Sequence, residues 1–522
     1  MKTTSNTHAS HSEEQLPAPA RRSRATTAIL ILAIVATALA SAVSLVPAAQ
    51  FEGWRWLVLV LMSVPVLASA DRAHRSAWTH LRRGVSHPDI LASIASLATY
   101  AWAAATIESG DASRGVTVAA ATALLVTAVH YVRNDRRTDG AAPPWLVPAL
   151  LSLALAALLG WWIYDDLAKG SSAAIAVLVV GCGAAFLLAT PSAISTGTKR
   201  GVKLGLQFGG VTVLEAARRI DTIVLDKNHT VTNGGLTVIS VDALDPGHDL
   251  NLRWFAGALE HSADDPVGRA IAKLAKLTSS RGLTNIEHQP GRGVSGVVDR
   301  HLVRVGSPDW IGFDAPREVG TTVVVEVDGR AMGSITVADD IRPHAQEAVE
   351  ELRRLGLEVI LASDGNPIDT EHVAKQVGVD IHFAEQGADD RSELVTTLQA
   401  DGHTVAMVGD NDLNAPALHT ADLAITGITG VAPSDDATDV RLIVADINAS
   451  VIAGAIALAR ATLATVRLNR RIALAATLLP APFAAAGLIG PLFAVLIAVT
   501  GTVIVACNSL RLRAPVLHAH AD

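Results

Sequence analysis

Long uncharged apolar runs fill both ends of the chain, and a segment of mixed character lies between them. The runs at about 28–47, 55–70, 90–108, 115–131, 145–164, 171–191, 472–489 and 491–507 predict eight transmembrane helices, since ~20 apolar residues cross a bilayer as helix. Those at 55–70 and 491–507 are short and borrow flanking residues. An even number of crossings puts both termini on one side. Between 211 and 470 the pattern changes to short β-branched runs alternating with helical periods. IDTIVLD at 220–226, LEVILASD at 357–364 and HTVAMVGD at 403–410 each read as a buried strand closing on an aspartate. Helical stretches at 341–355 and 387–400 feed the second and third of them. This alternation predicts an α/β, Rossmann-like open parallel sheet with its ligands at the carboxyl ends of the strands.

Charge fixes the expected orientation. Arg21, Arg22 and Arg24 precede the first run, Arg72, Arg75, Arg82 and Arg83 follow the second, Arg133, Arg136 and Arg137 the fourth, and Lys199, Arg200 and Lys203 the sixth. The opposite loops hold Arg55, Arg114 and Lys169, so the positive-inside rule places the termini and the 199–470 segment in the cytoplasm of a multi-pass protein in the plasma (inner) membrane. The composition agrees: 50% of residues are hydrophobic, 18% are charged and the mean hydropathy is +0.35, which excludes an ordinary soluble enzyme. A net charge of −8 offers no basic surface for nucleic acid; the lipid bilayer is the first partner. The two cysteines, Cys182 and Cys507, lie in apolar runs, where a structural thiol and a metal contact are both open. Residues 1–26 read as a disordered N-terminus in which His8 and His11 are weak metal candidates, and 513–522 as a short tail.

Three aspartates at one sheet edge can hold a nucleophile, a magnesium ion and a phosphoryl group between them. Asp226 leads into KNHTVTNGG, where Lys227 supplies charge and Thr230 a hydroxyl; Asp364 and Asp410 end the other two strands, and Asp226 and Asp410 are the candidate magnesium ligands. The sequence separation of Asp226 from Asp364 requires an inserted lobe, assigned to 240–330, with strands around 285–305 and 321–327. The phosphorylation domain then comprises 211–239 and 331–450, the first membrane section 27–210 and the last 451–512. GRGVSG at 291–296 suits either a close approach to a nucleotide or an ordinary turn. Asn228, two residues after Asp226, cannot protonate a leaving group, so a fast small-molecule phosphatase is disfavoured.

VLDKNHTVTNG at 224–234, LASD at 361–364, SITVADDIRP at 334–343 with Asp339 and Arg342, and GDNDLNAPAL at 409–418 together resemble the heavy-metal-transporting, eight-span class of P-type ATPases over about residues 28–512. LEHSADDPVGRAI at 259–271, VHYVRN at 129–134, DIL at 89–91 and NSLRL at 508–512 extend the resemblance. It implies a haloacid-dehalogenase-type phosphorylation domain with Asp226 as the phosphorylated residue, Arg391 in place of a phosphate-binding lysine, and an α+β nucleotide-binding lobe. In that lobe Glu260, Gly291, Gly293 and Gly296 would meet ATP; Cys182 would be what remains of a C-P-C ligand cluster for the transported metal.

The departures from this family are as specific as the matches. The family inserts an actuator domain between the fourth and fifth spans, where this chain has only about 132–144. Gly183 and Ala184 follow Cys182, removing the proline that opens the helix. Asn228 and His229 follow Asp226-Lys227, Ala362 precedes the second strand's serine and aspartate, Leu413 and Asn414 replace the hinge Asn-Asp pair, and Asp265 stands where a histidine meets adenine. The expected function is an impaired ATP-driven phosphorylation cycle with weakened ATP and Mg2+ binding, in a regulatory or partner role beside another membrane protein or a trans-acting actuator. An active metal-cation transporter is the first alternative; a membrane-anchored hydrolase or passive channel is the second.

Overall fold

The structure, a computed structural model, describes residues 24–45, 51, 53–69, 71–107, 112–133, 142–262, 265–275, 282–289, 291–314, 319–409, 412–427, 440–445 and 447–514. Asp410, His8, His11 and the tail beyond 514 lie outside them, as does the side chain of His229. The chain forms two compact units, one of residues 1–194 with 465–511 and one of 195–464 with 512–522.

The first unit is helical. Its helices run Arg24–Leu45, Trp54–Ser63 with a wider-turn continuation Val64–Ser69, Asp71–Arg82, Pro88–Ala105, Ala112–Val132, Leu146–Ile163, Leu167–Val180, the start of Ala184–Lys203, the end of Ala449–Leu478, Ala481–Ala485 and Pro491–Leu510. Among the described residues five helical segments are long and apolar enough to cross a membrane, or six if the bent pair 54–67 and 71–82 counts as one span; 31–40 is a shorter apolar helix. Described helices overlie all eight apolar runs, and five or six of the helical segments among the described residues meet the length and composition of a crossing. Asp71–Arg82 is the amphipathic exception: Ala73 and Ala77 face inward while Arg75 and Arg82 face out.

The span 167–203 is broken at Gly181, Cys182 and Gly183. The missing C-P-C proline therefore does not close the helix as expected. Gly183 has φ +70, a left-handed conformation that a side chain disfavours, and a Cβ there would lie 2.9 Å from Pro88 Cβ. Glycine breaks the helix where proline was expected to, and Cys182 stays buried in the turn.

The second unit carries two sheets built from thirteen strands: β1 Leu206–Phe208, β2 Thr222–Asp226, β3 Thr232–Ala243, β4 Leu283–Gln289, β5 Gly293–Val298, β6 His301–Gly306, β7 Thr321–Val327, β8 Arg330–Ile341, β9 Glu358–Ala362, β10 Ile381–Phe383, β11 Val405–Val408, β12 Leu423–Gly427 and β13 Arg441–Val444. The first sheet has the order β1-β13-β12-β11-β2-β9-β10 and is parallel except for β1. Its central strand β2 is buried at every position, as a continuous apolar run flanked by parallel neighbours requires. The helices Ala345–Arg354 and Ala388–Ala400 precede β9 and β11, as the periodicity predicts.

The inserted lobe is a six-stranded antiparallel sheet in the order β3-β8-β7-β6-β5-β4, with helices Asp249–Leu259 and Pro266–Ala272 packed on its apolar side through Leu252, Ala256, Leu259 and Ile271. Its sheet reaches from Thr232 to Ile341, beyond 240–330 at both ends, because β3 and β8 pair along nearly their whole length.

Candidate active site

β2 lies between β9 and β11, so the carboxyl ends of the three aspartate-bearing strands share one edge. Asp226 pairs in register with Ala362, which puts Asp364 two residues past its level on the neighbouring strand. Asp226 is buried. One carboxylate oxygen, Oδ2, accepts 2.7 Å from Asn414 Nδ2, and the other, Oδ1, lies 3.2 Å from Arg391 Nη1. The same Arg391 nitrogen also donates to Asn414 Oδ1, closing a three-membered network. Arg391 is wholly buried, so its charge is tolerated only because Asp226 neutralises it. Its Nε and Nη2 are buried without a hydrogen-bond partner, an edge that suits an incoming anion.

Lys227 is buried and paired with Asp369 on helix Pro367–Val377, a helix capped by Asn366, whose side chain accepts from Asp369 N at 2.8 Å. Asp364 is exposed and accepts 2.9 Å from Asn228 Nδ2, so these two side chains tie the loop after β2 to the loop after β9. Thr230 is buried; the neighbouring Thr232 donates to Asp339, whose other oxygen accepts from Gly235 N at 3.2 Å. Arg342 Nε donates to Thr232 O at 3.1 Å, so Asp339 and Arg342 clamp the strands that leave for the lobe. The structure thus brings Asp226 together with Arg391, and Asp364 together with Asn228. Asn414 and Asp369 are partners not among the site residues expected from the sequence; Asn414 was visible only as a departure from a motif, and Asp369 only as a carboxylate in the first turn after the second aspartate loop.

Of the two candidate magnesium ligands only Asp226 is among the described residues. The ion takes one or two carboxylates in octahedral geometry, whereas Asp226 faces a guanidinium on one oxygen and an amide N–H on the other.

In the lobe Glu260 is buried just after helix Asp249–Leu259. Burial, reinforced by the carboxylate of Asp265, pushes its carboxyl up to about 8, so it is a neutral acid near pH 7. Asp265 caps helix Pro266–Ala272, with Oδ1 accepting from Gly268 N at 2.9 Å; this N-cap bond explains an acidic residue there without reference to a base. Gly291 has open space around it, with φ +72. Gly293 and Gly296 are packing glycines: a Cβ would lie 2.2 Å from Val305 O at the first and 2.8 Å from Leu259 Cδ1 at the second. For these two the ordinary structural role, one of the two open readings of GRGVSG, accounts for the residue type.

Residues 220–422 match the haloacid dehalogenase-like hydrolase family. The chain is 38% identical over 381 residues to the copper-exporting P-type ATPase of Mycobacterium tuberculosis (strain ATCC 25618 / H37Rv), covering 70% of this chain and 49% of that protein. It is 32% identical over 441 residues to the copper-exporting P-type ATPase of Bacillus subtilis (strain 168), covering 77% and 55%. The chain is a homologue of the heavy-metal P-type ATPases. Its fold agrees with a zinc-transporting PIB-type ATPase in the E2.Pi state, with a TM-score of 0.71 at 20% identity over 93% of this chain and 99% of that one. The chain spans about half the length of the curated relatives it matches.

Within this P-type ATPase homologue the membrane unit has a polar knot of its own. Asn469 donates to Ala189 O at 3.0 Å and to Ser509 Oγ at 2.8 Å, Asn508 donates to Asn469 Oδ1 at 2.8 Å, and Ser192 and Ser509 share a 2.7 Å bond beside Pro191. Cys182 is buried in the helix break, without a second cysteine among the described residues of that break. One thiol is a thin sphere for copper or zinc.

Proposed function

We propose that this chain is a heavy-metal P-type ATPase homologue whose ATP-driven phosphorylation cycle is impaired, acting as a regulatory or partner subunit. The observation that carries this reading is the connection between helices Ala112–Val132 and Leu146–Ile163, which is only residues 133–145. A folded domain needs at least about 50 residues, so no actuator fits there, and the group that would aim water at an aspartyl phosphate has to come from another chain. The Arg391–Asn414 clamp on Asp226 supports the same reading. In this proposal the chain crosses the inner membrane eight times with both termini cytoplasmic, Asp226 retains its place as nucleophile, and ATP and Mg2+ bind weakly.

The test is phosphorylation of the purified chain by ATP, with and without magnesium, in wild type and Asp226→Asn, followed by a chase. Label that depends on Asp226 and persists through the chase is the expected result; rapid, sustained turnover by the isolated chain overturns the proposal. The second reading, an active transporter, draws on the intact Asp226-Lys227 pair at the end of β2. It requires ATP-dependent metal flux into liposomes that disappears in Asp226→Asn. Flux without ATP that survives the substitution would instead identify a passive channel.

A further inference from the structure

We propose that helix Leu146–Ile163 carries a binding groove for one membrane phospholipid whose headgroup holds both a phosphodiester and a primary amine, the phosphatidylethanolamine class. The groove has a volume of about 490 Å³; Leu153, Ala156, Gly160, Trp161 and Tyr164 line it, with Ala485 across the gap. It follows the helix from 153 to 164, about 16 Å at 1.5 Å per residue, which is close to the ~15 Å depth of one leaflet's hydrocarbon. The helix has a mean hydropathy of 2.1 and only 28% of its span is buried, so the bilayer lies against this face. The groove does not depend on the phosphorylation cycle.

Gly160 sets the depth of the groove. A glycine inside a helix is destabilising relative to alanine and is commonly kept because a neighbour presses against it, as Leu158 and Trp161 press on Gly170. At Gly160 a Cβ would meet nothing within 4 Å, so no group of this chain requires the missing side chain, and what the glycine preserves is the groove. Trp161 Nε1 donates to Ala485 O at 3.1 Å, which fixes the indole as a wall, and Gly487 packs against both Trp161 and Lys169. With the exposed Trp162 and Tyr164, Trp161 marks this end of the helix as the headgroup level.

The charges at that level fit a zwitterion. The Lys169 ammonium stands 3.7 Å from the centroid of Trp161, one ring away from the groove, and among the described residues no carboxylate pairs with it. Asp166 Oδ1 accepts from Lys169 N and caps helix Leu167–Val180. Asp165 is exposed, with φ +60, at the carboxyl end of helix Leu146–Ile163, where the helix dipole already favours a cation; its carboxylate has no ion-pair partner among the described residues. A phosphodiester on Lys169 and an amine on Asp165 answer both charges at once. An anionic lipid without an amine meets two carboxylates for one ammonium, and a choline headgroup favours the aromatic face that Lys169 already holds. Bulk lipid of any kind accounts for the volume of the groove but not for these opposite, unpaired charges beside it.

The experiment reconstitutes the full chain in nanodiscs of equimolar phosphatidylethanolamine, phosphatidylglycerol and phosphatidylcholine, extracts it into mild detergent and counts the retained lipids by native mass spectrometry. Wild type is expected to keep one phosphatidylethanolamine in preference to the other two classes. Gly160→Leu fills the groove and should lose that lipid. Lys169→Gln should weaken retention about fivefold, the effect of one ammonium near a membrane surface, and Asp165→Asn should abolish the preference for phosphatidylethanolamine over phosphatidylcholine. Because a side chain at 160 meets nothing, Gly160→Leu is expected to unfold in lipid-free detergent no earlier than wild type; should it unfold earlier, Ala156→Phe closes the same groove one turn away. Equal retention of all three classes, a preference for phosphatidylglycerol, unchanged retention in Lys169→Gln, or a retained lipid in the groove-filling variants each overturns the proposal.

Discussion

Asn414 is where a single side chain changes the chemistry open to Asp226. Its amide donates to one carboxylate oxygen and its carbonyl accepts from Arg391, so it satisfies the buried pair without adding charge. Asn414→Asp sets a second carboxylate against Asp226. We expect a loss of roughly 1–3 kcal/mol in the phosphorylation domain without divalent ion, recovered in millimolar magnesium; thermal unfolding in the two buffers checks this. Glu260 makes a second residue-level prediction. Its folded carboxyl titrates at about 8 whereas an unfolded one titrates near 4.5, so both states are protonated at low pH and the unfolded state alone ionises as pH rises between those values. Lobe stability should therefore be fully present below about 4.5, fall as pH climbs, and level off above 8; the loss at neutral pH is at most roughly 3 kcal/mol. Glu260→Gln should flatten that profile, read by hydrogen exchange in helix Asp249–Leu259 corrected for intrinsic rate. Asp226, Lys227 and Asp364 were legible because apolar strands that end on an acid betray themselves in one dimension. The partners Asn414 and Asp369 were not, since a contact between residues 188 apart or 142 apart leaves no local trace.

At the scale of elements, the apolar strands β2, β9 and β11 were readable because each closes on an aspartate-bearing loop, while β1 was not: a three-residue strand carries too little pattern to separate from loop. The glycine cluster of the lobe was legible as a feature but open in meaning until its packing was known. Gly293 has a strand carbonyl where a side chain would begin, so Gly293→Ala should displace β6 and destabilise the lobe by more than about 2 kcal/mol, whatever nucleotide does. Limited proteolysis within 283–306 should rise sharply in this variant. A selective loss of nucleotide affinity with unchanged protease resistance would argue for a ligand role instead. The pairing of Lys227 with Asp369 ties β2 to helix Pro367–Val377. Asp369→Ala strands a buried ammonium and is expected to cost about 3–5 kcal/mol, measured by denaturant unfolding of the α/β unit within the full chain.

For the molecule as a whole, the division into a helical unit and an α/β unit followed from the pattern of apolar runs; helices lie over all eight runs, and five or six helical segments among the described residues are long and apolar enough to cross a membrane. Helices such as Pro88–Ala105 carry enough polar and small residues, Asp89, Ser93, Ser96 and Thr99 among them, to blur the line between a span and a buried helix. If the missing actuator is the main defect, grafting a relative's actuator between Val132 and Leu146 should speed dephosphorylation. If the Arg391–Asn414 clamp also limits the reaction, the graft will act only with Asn414→Asp, and a two-by-two comparison of turnover separates the two.

The brevity of that same connection has a practical side. Two helix ends that a short tether can join are also ends between which extra sequence costs little, because closure entropy grows only with the logarithm of length. The site behaves as a cassette slot: a fluorescent reporter placed within 134–141 should leave the bundle assembled and mark which side of the membrane it faces.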